Sequence, residues 1–497
     1  MQRRDFALRV PAAAALAALP LGRAWAQAGK NTLTLGMALE PPGLDPTAGA
    51  ASAIGEIVLY NVLEPLTKIN QDGSVSPLLA ERWEFSHDLR AVTFHLRRGV
   101  RFHNGEPFNA QAVKFSFERA AAENSVNKDR RTFAAMESVR AIDEHTVLVT
   151  TREPDPDFLF HMGQPTACIV EPKSAAGNHA APVGTGPYTL ESWRKGASLT
   201  LKSWPGFRDA QAVGIARATF RFISDPAAQI AALLAGDVDV FPRVTERGVP
   251  RFKDDARFRV TVANSWSKTV LALNHGRKPL DDVRVRRAIC AAIDRKAVIE
   301  GAAGGYGVPI GSHYVPQAPG YVDTTGVNPY DPEKARALLK EAGIGAPLTL
   351  TLTLPPPAYA RDGGEVIIAQ LAQVGITAKA QNVEWAQWLA GTYTGKNYDL
   401  TIVSHVEPLD LGNFAKPNYY WNYRNPKFDA LFARIQTTAA PAERNALLGR
   451  AQRLLAEDAA LCWLYQPQWV SVANRRVSGL WENMPLLVND LAGMRWG

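Results

Sequence analysis

Cysteine is scarce in this chain: 497 residues hold three of them, at positions 168, 290 and 462. With no CxxC pair, this excludes a disulfide-dense scaffold and a finger-type zinc site. Each cysteine lies among apolar neighbours, as in Ile289-Cys290-Ala291, and is expected to be a buried free thiol acting as a small hydrophobe. A strong excess of one charge is missing too. Lys and Arg number 55 against 48 Asp and Glu, a formal +7, which hints at an anionic partner only until its location is known. After the opening segment no 18 consecutive residues are apolar, so no transmembrane helix is expected.

Catalytic signatures are also lacking. The chain contains no HExxH, no GxSxG and no Walker A, since Gly29-Lys30 and Gly395-Lys396 are both followed by Asn. Gly301–Gly311 does not fit GxGxxG and reads as a loop. The nine histidines show no metal-ligand spacing. Asp155-Pro156-Asp157 and Asp237-Val238-Asp239 read as capping or solvated turns. No catalytic residue, metal ligand or cofactor motif is nominated.

What is present is a globular composition, 46% apolar, long enough for about three domain-sized units. Residues 1–26 resemble an export leader: Arg3-Arg4, an apolar run from Val10 to Leu21, and the small-x-small site Ala24-Trp25-Ala26. The paired arginines followed by Phe6 favour a twin-arginine signal over the general route. Losing this segment removes four arginines and one aspartate, leaving +4 over 471 residues. The mature protein is then expected to be soluble outside the cytoplasm.

Ala91–Arg97 alternates apolar and polar residues like a half-buried strand. Asn109 is placed to cap a helix through Val113, Phe117 and Ala120. A helix from Asp282 carries Val285, Ile289, Ala292 and Ile293 on one face, with Arg284, Arg286, Arg287 and Arg295 expected on a solvated side. Asp331-Pro332 and Gly343 mark both ends of another helix. Strands at Leu348–Leu354 and Asp399–Val403 alternate with a helix at Gly364–Gln373, an α/β pattern. No internal repeat is found.

Several segments taken in order resemble the family 5 extracellular solute-binding proteins of ABC importers, the dipeptide-, oligopeptide- and nickel-binding group. They include Pro41-Pro42-Gly43-Leu44-Asp45-Pro46, Leu79-Ala80-Glu81-Arg82-Trp83, Arg101-Phe102-His103-Asn104-Gly105-Glu106-Pro107-Phe108 and Gly184-Thr185-Gly186-Pro187-Tyr188. Ala235-Gly236-Asp237, Val285-Arg286-Arg287-Ala288-Ile289 and Tyr330-Asp331-Pro332-Glu333-Lys334-Ala335 continue the match across the mature chain. The resemblance implies a two-lobed periplasmic-binding-protein-like α/β fold with a hinge. Lobe one would span 27–264 with an extra α/β subdomain near 67–183, lobe two 265–470, and 471–497 would return to lobe one. It implies a periplasmic, monomeric receptor that needs no cofactor, captures a peptide or other small polar solute and delivers it to a membrane permease, with no nucleic-acid partner. An exported hydrolase and a ligand-sensing lobe for a membrane signalling partner are the alternatives.

The resemblance also implies site residues. Trp385, after Glu384, matches a stacking Trp, and Glu407, 22 residues later, matches a carboxylate that pairs with a peptide's ammonium. Ser404 and His405 stand where the peptide binders carry an aromatic wall; His405 is read as a polar lining residue, not a metal ligand. Asp410 and Tyr420 are further candidates, and Tyr419-Tyr420-Trp421 offers an aromatic wall or core. Trp388 is expected in the core. The arginine that clamps a dipeptide's carboxylate would fall near Leu354, in an apolar run, with Arg361 the nearest arginine. An unpaired buried carboxylate costs several kcal/mol, so a plain dipeptide fits poorly.

Overall fold

A computed structural model describes residues 30–49, 51–345 and 347–497, and of Arg247 the backbone alone. The leader expected at 1–26 lies outside the described residues. Among these, no helix is long and apolar enough to cross a membrane.

A 13-stranded mixed sheet organises Asn31–Gly497. One half follows a βαβ path. Strands Leu348–Leu354 and Ile376–Asn382 pair in parallel, linked by the helix Ala358–Ala372, and Leu400–His405 joins the first of them in parallel. Lys268–Leu273 then pairs antiparallel with Leu400–His405, in register from Lys268 opposite His405 to Leu273 opposite Leu400. The other half contains Thr32–Met37, parallel to Arg217–Phe222, followed by an antiparallel run through Ser198–Ser203 and Tyr188–Arg194. One long strand, Cys462–Asn474, belongs to both: its start pairs with Lys268–Leu273, its end with Val240–Phe241 and Phe258–Ser265. A separate antiparallel sheet orders Ala80–Phe85, Ala91–Leu96, Thr146–Thr151 and Met136–Asp143. Against it lies the helix Ala110–Ala121, whose cap Asn109 accepts the amide protons of Gln111 and Ala112.

The strand Ala91–Leu96 alternates half-buried and buried residues as its period requires. Asp331 caps Pro332–Glu341, and Gly343, at φ +73°, closes it in the left-handed region that favours glycine. The helix expected at Gly364–Gln373 starts earlier, at Ala358, directly after Pro357.

Three expectations are corrected. Cys290 and Cys462 form a disulfide, and Cys168 alone is a buried free thiol. The helix Val283–Ala291 and the start of Cys462–Asn474 are 172 residues apart in sequence, yet the bridged Cα atoms are 5.2 Å apart. Arg286 is buried: it donates to the carbonyls of Leu280 (2.9 Å), Asp281 (3.0 Å) and Asp458 (2.9 Å). Arg287 donates to the Glu457 carbonyl and Arg295 to that of Trp463, both at 2.8 Å. These guanidiniums satisfy carbonyls of other elements, including the end of the helix Pro441–Glu457, where cations are favoured. Finally, Gly301–Gly311 is not all loop, because it contains the end of the helix Arg295–Ala303 and the strand Gly307–Pro309.

Candidate ligand-binding cavity

Trp385 opens a short helical turn, Trp385–Gln387, that continues into the π-helical segment Trp388–Thr394. A capping box fixes this start: Glu384 accepts from the third turn amide while the Gln387 side chain accepts the Glu384 amide proton at 3.1 Å. π-turns of this kind recur at functional sites. Trp388 is buried and donates its indole N–H to Thr401 Oγ1 at 2.9 Å. Its ring meets Trp385 edge-on, with centroids 5.6 Å apart, and Tyr420 at 5.9 Å. Trp385 is thus braced from behind while 41% of it stays exposed.

That exposed face borders a cavity of about 1010 Å³. Leu389, Tyr393 and Val406 border it too, so four of the nine exposed large apolar side chains among the described residues line one cavity. An apolar patch of this kind marks a place where something binds.

Glu407 also lines the cavity. Its carboxylate is exposed and has no hydrogen-bond or ion-pair partner among the described residues, while its backbone carbonyl accepts from the Lys268 ammonium. Ser404 lines the wall beside it and accepts from Thr269 Oγ1 at 3.4 Å.

Asp410 has another task. Its almost fully buried carboxylate lies 2.7 Å from the Lys268 ammonium, 2.9 Å from His313 Nε2 and 3.1 Å from His405 Nδ1, and it accepts from Asn413 Nδ2 at 3.0 Å. Burial works to raise its pKa, but the charges and hydrogen bonds of His313 and Lys268 hold it well below the usual range. Burial pushes the His313 imidazole down to about 4. His405 spends its second nitrogen on Tyr420 Oη, at 3.0 Å. Asp410, His405 and Tyr420 therefore line the cavity with their polar atoms already engaged. His313, His405 and Asp410 are also close enough to share a metal ion; the Lys268 ammonium already occupies that carboxylate.

Arg361 does not line the cavity; its guanidinium lies 3.4 Å from Glu384. Leu354 is buried, and neither position supplies a cation to the site. The pair read as a solvated turn, Asp155 and Asp157, lines the cavity instead. Asp155 lies 3.0 Å from His161 Nδ1, and Asp157 takes Arg444 at 2.6 Å, from the helix Pro441–Glu457. Arg131, Lys416 and Arg444 also border the cavity and were not singled out from the sequence. None belongs to a local motif; they meet only because distant elements fold together.

A cavity with a braced aromatic wall and an unengaged carboxylate suits a solute receptor. The comparisons agree. The family described as "Bacterial extracellular solute-binding proteins, family 5 Middle" matches residues 74–423, and the chain belongs to that family. It is 31% identical over 408 residues to the dipeptide-binding protein of Escherichia coli K12, covering 75% of this chain and 76% of that one. It is 25% identical over 533 residues to di/tripeptide-binding protein 1 of Pseudomonas aeruginosa UCBPP-PA14, covering 96% and 97%. Among solved structures, the periplasmic binding protein AgaA of A. tumefaciens R10, in complex with agropinic acid, is 25% identical with a TM-score of 0.79, covering 94% of this chain and 99% of that one. The fold is accordingly the two-lobed α/β receptor fold.

Proposed function

We propose that the chain is the substrate-binding protein of an ABC importer, taking a short peptide or a similar small polar organic molecule between its lobes and passing it unaltered to a membrane permease. The observation that carries this reading is that an exposed Trp385 and the Glu407 carboxylate line the same cavity. A flat apolar ring and a carboxylate in one cavity suit a ligand with an ammonium group and an apolar body. Relatives named for dipeptides, tripeptides and glutathione support the ligand class.

In this reading lobe one is 27–264, with the subdomain at 67–183, lobe two is 265–470, and 471–497 returns to lobe one. The strand Cys462–Asn474, shared by both halves of the large sheet, suits a crossing that acts as a hinge. Export to the periplasm with cleavage after Ala26 suits the family, and the Cys290–Cys462 disulfide suits an oxidising compartment.

Thermal denaturation of ligand-stripped protein against a panel of peptides tests this. A true ligand at one hundred times its Kd adds about 2.7 kcal/mol to stability and raises Tm, and chromatography recovers it intact. Glu407→Gln weakens an ammonium-bearing ligand by about 1–3 kcal/mol. A converted product, or a ligand indifferent to Glu407→Gln, refutes the assignment.

A further inference from the structure

Lys268 opens the strand Lys268–Leu273, directly after Trp266 and Ser267, which both line the cavity. Its own side chain is fully buried and does not line the cavity. In the sheet it stands opposite His405, the last residue of Leu400–His405. The segment that leaves this strand, residues 406–409, therefore starts beside Lys268. It is neither strand nor helix, and its Val406 and Glu407 are exposed to the cavity.

The Lys268 ammonium makes two bonds of different kinds. One goes to Asp410 Oδ1 at 2.7 Å and the other to the backbone carbonyl of Glu407. Among the described residues no other side chain hydrogen-bonds residues 406–409. Asp410 is itself held from other directions, 2.9 Å from His313 Nε2, 3.1 Å from His405 Nδ1 and 3.0 Å from Asn413 Nδ2. The ammonium is thus anchored on a fixed carboxylate and extends that anchor to Glu407. Charge explains why two acids are needed. A buried ammonium without a counter-charge is costly and would draw in the nearest carboxylate, including that of Glu407. With Asp410 as its counter-charge, Lys268 meets Glu407 only through a neutral carbonyl, and the Glu407 carboxylate stays available to the cavity.

We propose that Lys268 is a positioning residue for Glu407: from behind the cavity wall it fixes the backbone that aims this carboxylate at a cationic group of the solute. This rests on the solute-binding reading above and adds a residue that acts on the solute's ammonium without touching it. A carboxylate on an anchored backbone loses less freedom when it takes up its partner, so the anchor contributes to affinity for that group alone. Positioning contacts of this kind are commonly worth tenfold or more.

The test compares peptides with the same peptides lacking the α-amino group, by calorimetric titration. Two variants are used, Lys268→Met and Lys268→Met/Asp410→Asn, the second removing the buried carboxylate that the first leaves unpaired. The unaltered protein should bind the amine-bearing peptides at least tenfold more tightly than the des-amino forms. The Lys268 variants should lose most of that preference while des-amino affinity stays within twofold, and should lose nothing further when Glu407→Gln is added. A preference that survives in the variants overturns the positioning role. So does an equal loss for both peptide forms, or a Lys268 effect that persists in full beside Glu407→Gln, since either marks a general structural role. No preference in the unaltered protein overturns the Glu407 assignment and the positioning role together but leaves solute binding standing. Binding of neither form of any peptide overturns the peptide reading as well.

Discussion

Asp410 illustrates how a residue's role depends on what is folded around it. Its carboxylate neutralises a buried lysine and orders two histidines, leaving Glu407 as the unengaged acid on that wall. Stability carries the mark of this arrangement. An unfolded-chain histidine takes up its proton near pH 6.5, whereas folded His313 does so only near 4 and His275, buried and repelled by Arg286, only near 3. Between these values the unfolded state binds more protons, so stability falls as pH drops from 6.5 toward 4. Each histidine contributes up to about 1.4 kcal/mol per pH unit. Urea unfolding at pH 7, 5.5 and 4.5 measures the slope, and His313→Gln should remove about one proton's share; an unchanged slope excludes His313 as a source. Trp385 and Glu407 were legible in the sequence because their spacing matches a family pattern. The Asp410 network was not, because Lys268, His313 and Asp410 are separated by 45 and 97 residues and meet only across strands and loops.

At the scale of elements, local signals read well where the physics is local. Asn109, Asp282 and Asp331 each accept backbone amide protons at the first turn they precede, because capping depends only on residues within one turn. Long-range pairings did not read. The Cys290–Cys462 disulfide ties a helix to the strand that runs through both halves of the large sheet. Nothing in the apolar surroundings of either cysteine distinguishes a bridge from a buried thiol. Closing a loop of this length predicts that Cys290→Ala/Cys462→Ala lowers unfolding free energy by about 2–5 kcal/mol. Guanidinium titration checks this, and an unchanged midpoint contradicts it. Arg286 is a similar case, since besides the nearby carbonyls of Leu280 and Asp281 it is held by those of Asp458 and Ala459, just past the end of another helix.

For the whole molecule, three of the seven surplus positive charges sit in a segment proposed to be removed, and what matters for function is the distribution of charge around one cavity. There, Asp157, Asp155 and Asp410 are paired with Arg444, His161 and Lys268, while among the described residues the Glu407 carboxylate has no hydrogen-bond or ion-pair partner. The central claim is that this cavity, walled by Trp385, is where a single small solute binds. Calorimetric titration of the tightest-binding panel member into ligand-stripped protein and into Trp385→Ala tests it most directly. The account predicts one site per chain and affinity at least tenfold weaker in the variant, about 1.4 kcal/mol or more. Equal affinities in the two proteins, or no heat from any panel member, would contradict it.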